Sequence, residues 1–209
     1  MTLLGAILAG GRNTRYGAHK ALAEVGGEPI IERVRRALEG VSERVVLLAN
    51  EPEVYAPLGL DMRPDARAGL GPLGGIHAAL LWARELETEG ALAVACDMPF
   101  VPVELLRWLA AAGHGEPGGA PPDVVVPESR SRRGLEPLCA FYSVRCLAAI
   151  EARADAGDRR MVGFFDDVTV QTLPLERVRR LGDPEVLFMN VTTPAERERA
   201  EALAAGMER

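Results

Sequence analysis

The chain is short of lysine, side-chain amides, aromatics and cysteine, and each shortage narrows what it can do. Its 24 basic residues include a single lysine, Lys20; the others are all arginine. Amides are confined to Asn13, Asn50, Asn190 and Gln171. Aromatics make up 5% of the residues, too few for the stacking platforms that bind single-stranded nucleic acid. Cys96, Cys139 and Cys146 form no CxxC pair and cannot all pair with one another, so they read as reduced, intracellular thiols. A net charge of −6 argues against a general binder of nucleic acid or anionic membranes. Long apolar runs are missing as well. Ala91 to Cys96 falls far below the ~20 residues of a membrane span, and Leu3 to Ala9 lacks the basic flank of a secretion signal. These absences lead us to expect a cytoplasmic protein with no nucleic-acid or membrane partner. GxSxG and HExxH are absent, and His19, His77 and His114 lack the spacing of metal ligands; His77, within a helical pattern, reads as structural.

What is present fits one globular domain spanning 1–209, with 48% hydrophobic and 26% charged residues. Glycine (22) and proline (15) are in excess, which implies many turns and close backbone approaches. Charge is unevenly spread. The first acidic residue is Glu24, and before it stand Arg12, Arg15 and Lys20, a cationic stretch able to attract an anion despite the overall negative charge. A lone lysine in an arginine-rich chain suggests a position that needs a compact ammonium rather than a planar guanidinium.

Apolar runs at 3–9, 45–49, 91–96, 124–126, 138–142, 168–173 and 186–189, with a weaker one at 60–63, predict strands. Helical spacing follows Pro29, runs from Ile76 to Leu86, and recurs after Pro102 and near 144–156 and 159–165. Thr193-Pro194-Ala195-Glu196 predicts a capping box that opens a last helix. Gly113 to Pro122 reads as a surface loop. Such alternation predicts an α/β fold: a Rossmann-like three-layer α/β/α arrangement around a mostly parallel, mixed sheet. Ligands of such sheets lie beyond the carboxyl ends of the strands. There the sequence places Gly10 to Lys20, Asn50, Asp65, Asp97 and Asn190, each after an apolar strand.

The segment from Leu8 and Ala9 through Gly10 and Gly11 to Arg15 and Lys20 carries the most information. Absent side chains at Gly10 and Gly11 let backbone N–H groups reach phosphate oxygens, while Arg15 and Lys20 neutralise charge. No Gly-Lys-Ser/Thr closes it, so it is no Walker loop. Gly71-Pro72-Leu73-Gly74-Gly75 brings bare backbone to a helix start, suited to a phosphate or a ring edge, or simply to helix entry. Asp97 ends a buried strand; such a carboxylate suffices for Mg²⁺ shared with substrate phosphates, and could equally cap a turn. Arg130, Arg132 and Arg133 form a basic cluster that is either solvated or meets the phosphate of a second substrate.

The first loop resembles the nucleotidyltransferase signature Leu-Ala-Gly-Gly-x-x-x-Arg-Met-Gly-x-x-Lys. Gly71 to Gly75, Cys96-Asp97-Met98-Pro99-Phe100, Pro137 to Tyr142 and Asn190-Val191-Thr192-Thr193-Pro194 are similar to landmarks of the molybdenum cofactor guanylyltransferases. The resemblance runs from residue 4 to about 196 and implies the nucleotidyltransferase fold. It also implies transfer of GMP from GTP to molybdopterin, giving molybdopterin guanine dinucleotide and pyrophosphate, with Mg²⁺ as cofactor. On this resemblance Arg15, Lys20 and Asp97 are catalytic, and Asp97 holds the metal. Leu8, Ala9, Gly10, Gly11, Asn50, Asp65, Gly71 and Gly74, with Lys20 and Asp97, serve GTP; Asn190 and Thr192 serve molybdopterin. Molybdoenzymes or other cofactor-biosynthesis proteins are the implied partners. Tyr16, His19 and Thr192 depart from the family pattern, where Met, Asp and Asn stand. The alternatives are a cytidylyltransferase for the same cofactor, a sugar-phosphate nucleotidyltransferase, and a nucleotide-binding scaffold that delivers cofactor without catalysis.

Overall fold

The computed structural model describes residues 2–10, 20–115 and 118–207. In chain order the strands are β1 (Leu3–Leu8), β2 (Glu24–Val25), β3 (Glu28–Pro29), β4 (Arg44–Leu48), β5 (Asp61–Arg63), β6 (Gly90–Ala95), β7 (Val124–Pro127), β8 (Cys139–Ser143) and β9 (Val170–Leu173). The helices are α1 (Ile30–Glu39), α2 (Pro52–Tyr55), α3 (Pro72–Glu85), α4 (Val103–Gly113), α5 (Leu147–Asp155), α6 (Leu175–Val178), α7 (Pro184–Leu187) and α8 (Pro194–Met207).

Seven strands form one sheet in the order β5-β4-β1-β6-β8-β7-β9, while β2 and β3 make a separate small hairpin. β8 alone among the seven runs antiparallel to its neighbours β6 and β7, so the sheet is mostly parallel and mixed, as the alternation predicted. The inner strands β1, β4, β6, β7 and β8 are almost continuously apolar because both faces are covered, whereas the edge strands β5 and β9 carry exposed polar residues. On one face Leu3, Ile7, Leu47, Leu92 and Val94 pack with Ile31, Val34 and Leu38 of α1 and Leu105, Leu106 and Leu109 of α4. On the other, Leu4, Ala6, Leu8, Val46 and Leu48 pack with Leu73, Ile76 and Leu80 of α3 and Leu147 and Ile150 of α5. Each fully buried Leu or Ile of these layers contributes roughly 1.5–3 kcal/mol. The result is the α/β/α sandwich, and the segment 113–122 joins α4 to β7, a strand of the same sheet.

Three sequence expectations are corrected. Residues 186–189 are not a strand: Asp183 caps the short helix α7 by accepting from the Glu185 N–H at 3.0 Å, and Pro184 occupies its first turn. That local cap and proline outweigh four apolar residues. Residues 159–165 form turns followed by one 3-10 turn, Phe165–Asp167, held by buried Phe164 rather than by a helical stripe. Of the glycine stretch 71–75, only Gly71 precedes α3, as its N-cap, and Pro72 to Gly75 form the first turn itself. The capping box at α8 is present: Thr193 Oγ1 accepts from the Glu196 N–H at 3.2 Å, and the Glu196 carboxylate accepts from Thr192 N–H (2.7 Å) and Oγ1 (2.8 Å). Among the described residues no helix is long and apolar enough to cross a membrane.

Candidate active site

Four parallel strands end side by side. Leu8 of β1 pairs with Leu48 of β4 and Ala95 of β6, and Leu48 pairs with Arg63 of β5. One more rung follows on three of them, through Ala9 N–H to Leu48 O (2.9 Å), Ala49 N–H to Arg63 O (3.0 Å) and Cys96 N–H to Leu8 O (3.1 Å). The next residue of each chain then leaves the sheet: Gly10, Asn50, Asp65 and Asp97 stand at equivalent positions on one rim. β1 has β4 on one side and β6 on the other, so this rim is also the topological switch point.

Asn50 and Asp65 clasp each other. Asn50 Nδ2 donates to Asp65 Oδ2 at 2.9 Å, and the Asp65 N–H donates to Asn50 Oδ1 at 2.9 Å. α3 presses its first turn against this pair. A Cβ at Gly74 would lie 3.1 Å from Asp65 Cγ and 3.2 Å from Oδ2, so a side chain there would push the carboxylate away. Gly71 ends the preceding loop at φ 58°, ψ −141°, a conformation that only glycine adopts without strain.

Two cavities open at this rim. The larger, of about 520 Å³, is lined by Ala9, Gly10, Asn50, Glu51, Tyr55, Asp65, Gly69, Gly71 and Pro72. The smaller, of about 240 Å³, is lined by Leu8, Ala9, Gly10, Gly71, Pro72, Gly75, Ala95, Cys96, Asp97, Leu138 and Asn190. They share Ala9, Gly10, Gly71 and Pro72, so together they form one continuous cleft. Asp97 is 5% exposed. Asn190 is drawn to it from the far end of the chain because the Val191 N–H donates to the Asp97 carbonyl at 2.9 Å. Asn190 Nδ2 donates to the Phe188 carbonyl at 3.2 Å, which leaves the amide oxygen available to the cleft. Thr192 lines neither cavity; it is bonded to Glu196.

Gly11 and Arg15 lie outside the described residues, as do Tyr16 and His19; of Lys20 only the backbone is described, opening the 3-10 turn Lys20–Leu22. His77 is buried in α3 with Nε2 3.1 Å from Glu151 Oε1, a structural pairing away from the cleft. The three cysteines are buried in the core, and burial pushes Cys139 and Cys146 well above the ordinary thiol range. Among the described residues no group of three His, Cys, Asp or Glu forms a metal cage. A hard cation at Asp97 would share that one carboxylate with phosphate oxygens of a ligand, the usual manner of Mg²⁺.

Reading outward from strand ends finds residues that follow parallel strands and misses those that precede an antiparallel one. β8 starts at the same rim, with Cys139 opposite Val94 and the Ala95 N–H bonded to the Leu138 carbonyl at 2.8 Å. Leu138 thus lines the cleft from the opposite chain direction, with Glu136 and Pro137 just before it in the chain. Glu136 is held at about 7 by burial, opposed by a hydrogen bond from the Leu138 backbone and assisted by the nearby Asp97 charge. The sequence signal for it is an acidic residue shortly before a continuous apolar run, whose direction only the pairing reveals.

With the cleft in view, comparison with known proteins is informative. The family model described as MobA-like NTP transferase domain matches residues 5–171. A protein named as a probable molybdenum cofactor guanylyltransferase, from Pelotomaculum thermopropionicum, is 42% identical over 200 residues, covering 96% of this chain and 92% of the relative. The molybdenum cofactor guanylyltransferase of Desulfosudis oleivorans is 35% identical, covering 95% and 94%. Among solved structures, molybdopterin-guanine dinucleotide biosynthesis protein A from Archaeoglobus fulgidus matches with a TM-score of 0.78 at 26% identity, over 98% of this chain and 100% of that one.

Proposed function

The chain belongs to the MobA-like NTP transferase family and is a nucleotidyltransferase, and from that premise we propose that it transfers GMP from GTP to molybdopterin. The products are molybdopterin guanine dinucleotide and pyrophosphate. The observation that carries this reading is the two-limbed cleft, whose larger limb holds the Asn50–Asp65 clasp and whose smaller limb holds Asp97. The larger limb suits a nucleoside: Ala9, Gly10 and Gly71 offer bare backbone, and Asp65 retains acceptor capacity beyond its bond to Asn50. The smaller limb then receives the α-phosphate.

An oxygen of the acceptor's terminal phosphate attacks the α-phosphorus of GTP. The new P–O bond forms as the bond to the β-phosphate oxygen breaks, and the electron pair leaves with pyrophosphate. Because both reactants are anionic, positioning and charge neutralisation carry the catalysis, and no side-chain nucleophile is needed. Lys20 and Arg15 supply positive charge to the triphosphate, and Gly10 and Gly11 serve the nucleotide beside them. Asp97 would hold Mg²⁺, which when bound neutralises phosphate oxygens and orients them. Asn190 meets the acceptor beside Asp97, while Thr192 holds that segment through Glu196. The reaction belongs in the reducing cytoplasm, where three buried thiols persist.

Incubation of the protein with molybdopterin, Mg²⁺ and GTP, CTP or ATP, followed by separation of the products, tests the proposal. Molybdopterin guanine dinucleotide is expected from GTP alone, and Asp97→Asn is expected to abolish its formation while the protein remains folded. Preferential use of CTP would replace guanylyl with cytidylyl transfer, and full activity of Asp97→Asn would remove the metal assignment.

A further inference from the structure

A third concavity of about 330 Å³ adjoins the Asp97 limb, because Pro72 and Leu138 line both. Its wall is apolar, formed by Leu135, Pro137, Leu138 and Met161. Besides Ser131, its polar groups are of two kinds. One is Glu136, which lines this groove but not the Asp97 cavity. The other is a pair of adjacent cations, Arg132 and Arg133.

The arginines are presented by a built turn rather than a loose loop. The Gly134 N–H donates to the Ser131 carbonyl at 2.9 Å, which makes Arg132 and Arg133 the central pair of the turn. Ser129 N–H closes onto the Gly134 carbonyl at 2.9 Å, and Ser131 Oγ donates to the Leu135 carbonyl at 3.0 Å. Neighbouring Arg130 is paired with Glu185 at 3.2 Å, whereas among the described residues Arg132 and Arg133 have no ion-pair partner. Two adjacent guanidiniums on one turn repel each other, and an anion between them relieves that repulsion.

We propose that this groove is the acceptor subsite, where Glu136 reads the ring edge of the pterin and Arg132 and Arg133 engage the acceptor's anionic groups. The assignment rests on the guanylyl-transfer reading given above. A pterin's 2-amino-4-oxo edge carries two parallel donors, the ring N3–H and the exocyclic amine, which match the two oxygens of a carboxylate. Apolar side chains flank that carboxylate on the groove wall, as a flat heterocycle requires. The acceptor's phosphate and its dithiolate are both anions that the arginine pair would take, and competition by inorganic phosphate distinguishes them.

The test compares the wild type with the Arg132→Ala/Arg133→Ala double variant, Glu136→Gln and Arg130→Ala. The double variant is expected to raise the KM for molybdopterin at least about tenfold, while the calorimetric Kd for GTP stays within about twofold. Arg130→Ala, whose charge is already neutralised outside the groove, is expected to change neither. Fluorescence titration with 6-carboxypterin and 6-carboxylumazine, which differ at the 2-amino group, reads Glu136 directly. Wild type is expected to favour the pterin at least about fivefold, and Glu136→Gln to lose that preference. Inorganic phosphate that competes with molybdopterin in wild type but not in the double variant assigns the arginines to the phosphate; equal inhibition of both assigns them to the dithiolate. An unchanged acceptor KM in the double variant, or an unchanged pterin preference in Glu136→Gln, overturns the subsite while leaving guanylyl transfer intact. Failure of the wild type to turn over GTP with molybdopterin overturns the functional reading itself.

Discussion

At the scale of single residues, burial and charge at Glu136 set a pH dependence that can be measured without any substrate. Burial raises its carboxyl from the ordinary 4.5 to about 7, so between these values the folded protein holds a proton that the unfolded chain releases. Stability from this residue is therefore fully present below about 4.5, declines as pH rises towards 7 and stays low above it, a difference of at most about 3 kcal/mol. A glutamine mimics the protonated carboxyl at every pH. In metal-free protein, Glu136→Gln is expected to be more stable than wild type at pH 8 and nearly equal to it at pH 4 in urea denaturation. A constant difference at both pH values would show that the carboxyl is not held near neutrality.

At the scale of elements, α3 carries a conflict between its own stability and the site. Ala is the better helix former by roughly 1 kcal/mol, so Gly74→Ala in the first turn should stabilise the helix. The added Cβ would nevertheless meet Asp65 at 3.1 to 3.4 Å and move a carboxylate that is clasped to Asn50. We expect the variant to melt at or above the wild-type temperature and to bind GTP several-fold more weakly, as read by thermal melts and calorimetry. Unaltered GTP affinity would mean that the Asp65 position does not matter to the nucleotide. The short helix α7 shows the same principle from the other side: Asp183 and Pro184 fix a turn that seats Met189 and Val191 against α8, and so delivers Asn190 to Asp97.

At the scale of the whole molecule, the cleft gathers residues from β1, β4, β5, β6, the start of β8 and the segment before α8. A ligand that joins so many elements stabilises the entire fold by mass action. At a hundredfold excess over Kd that amounts to about 2.7 kcal/mol, or roughly 5–10 °C in Tm for a chain of this size. Scanning calorimetry with GTP and Mg²⁺ is expected to show such a shift, with a smaller one for CTP at equal concentration. Equal shifts for both nucleotides would indicate a cleft that holds the triphosphate but does not discriminate the base.

The sequence by itself determined the parallel part of the molecule and its rim. Strands covered on both faces must be apolar at every position, so β1, β4 and β6 stand out as continuous runs, and polar residues just beyond them must lie at one edge. Gly10, Asn50 and Asp97 were legible for that reason, whereas Asp65 follows the weaker β5, whose Asp61, Met62 and Arg63 are exposed or half-buried. The structure supplied what depends on direction and on partners distant in sequence. Glu136 and Leu138 reach the rim because β8 runs against its neighbours, and a strand's direction is set by its pairing, not by its composition. Apolar residues 186–189 became a turn of helix because Asp183 and Pro184 cap it locally, and Asn190 reached Asp97 through one backbone hydrogen bond from Val191. Hydrophobic periodicity records which faces are buried; which residues then meet across the cleft is decided by the pairing of strands and the packing of helices upon them.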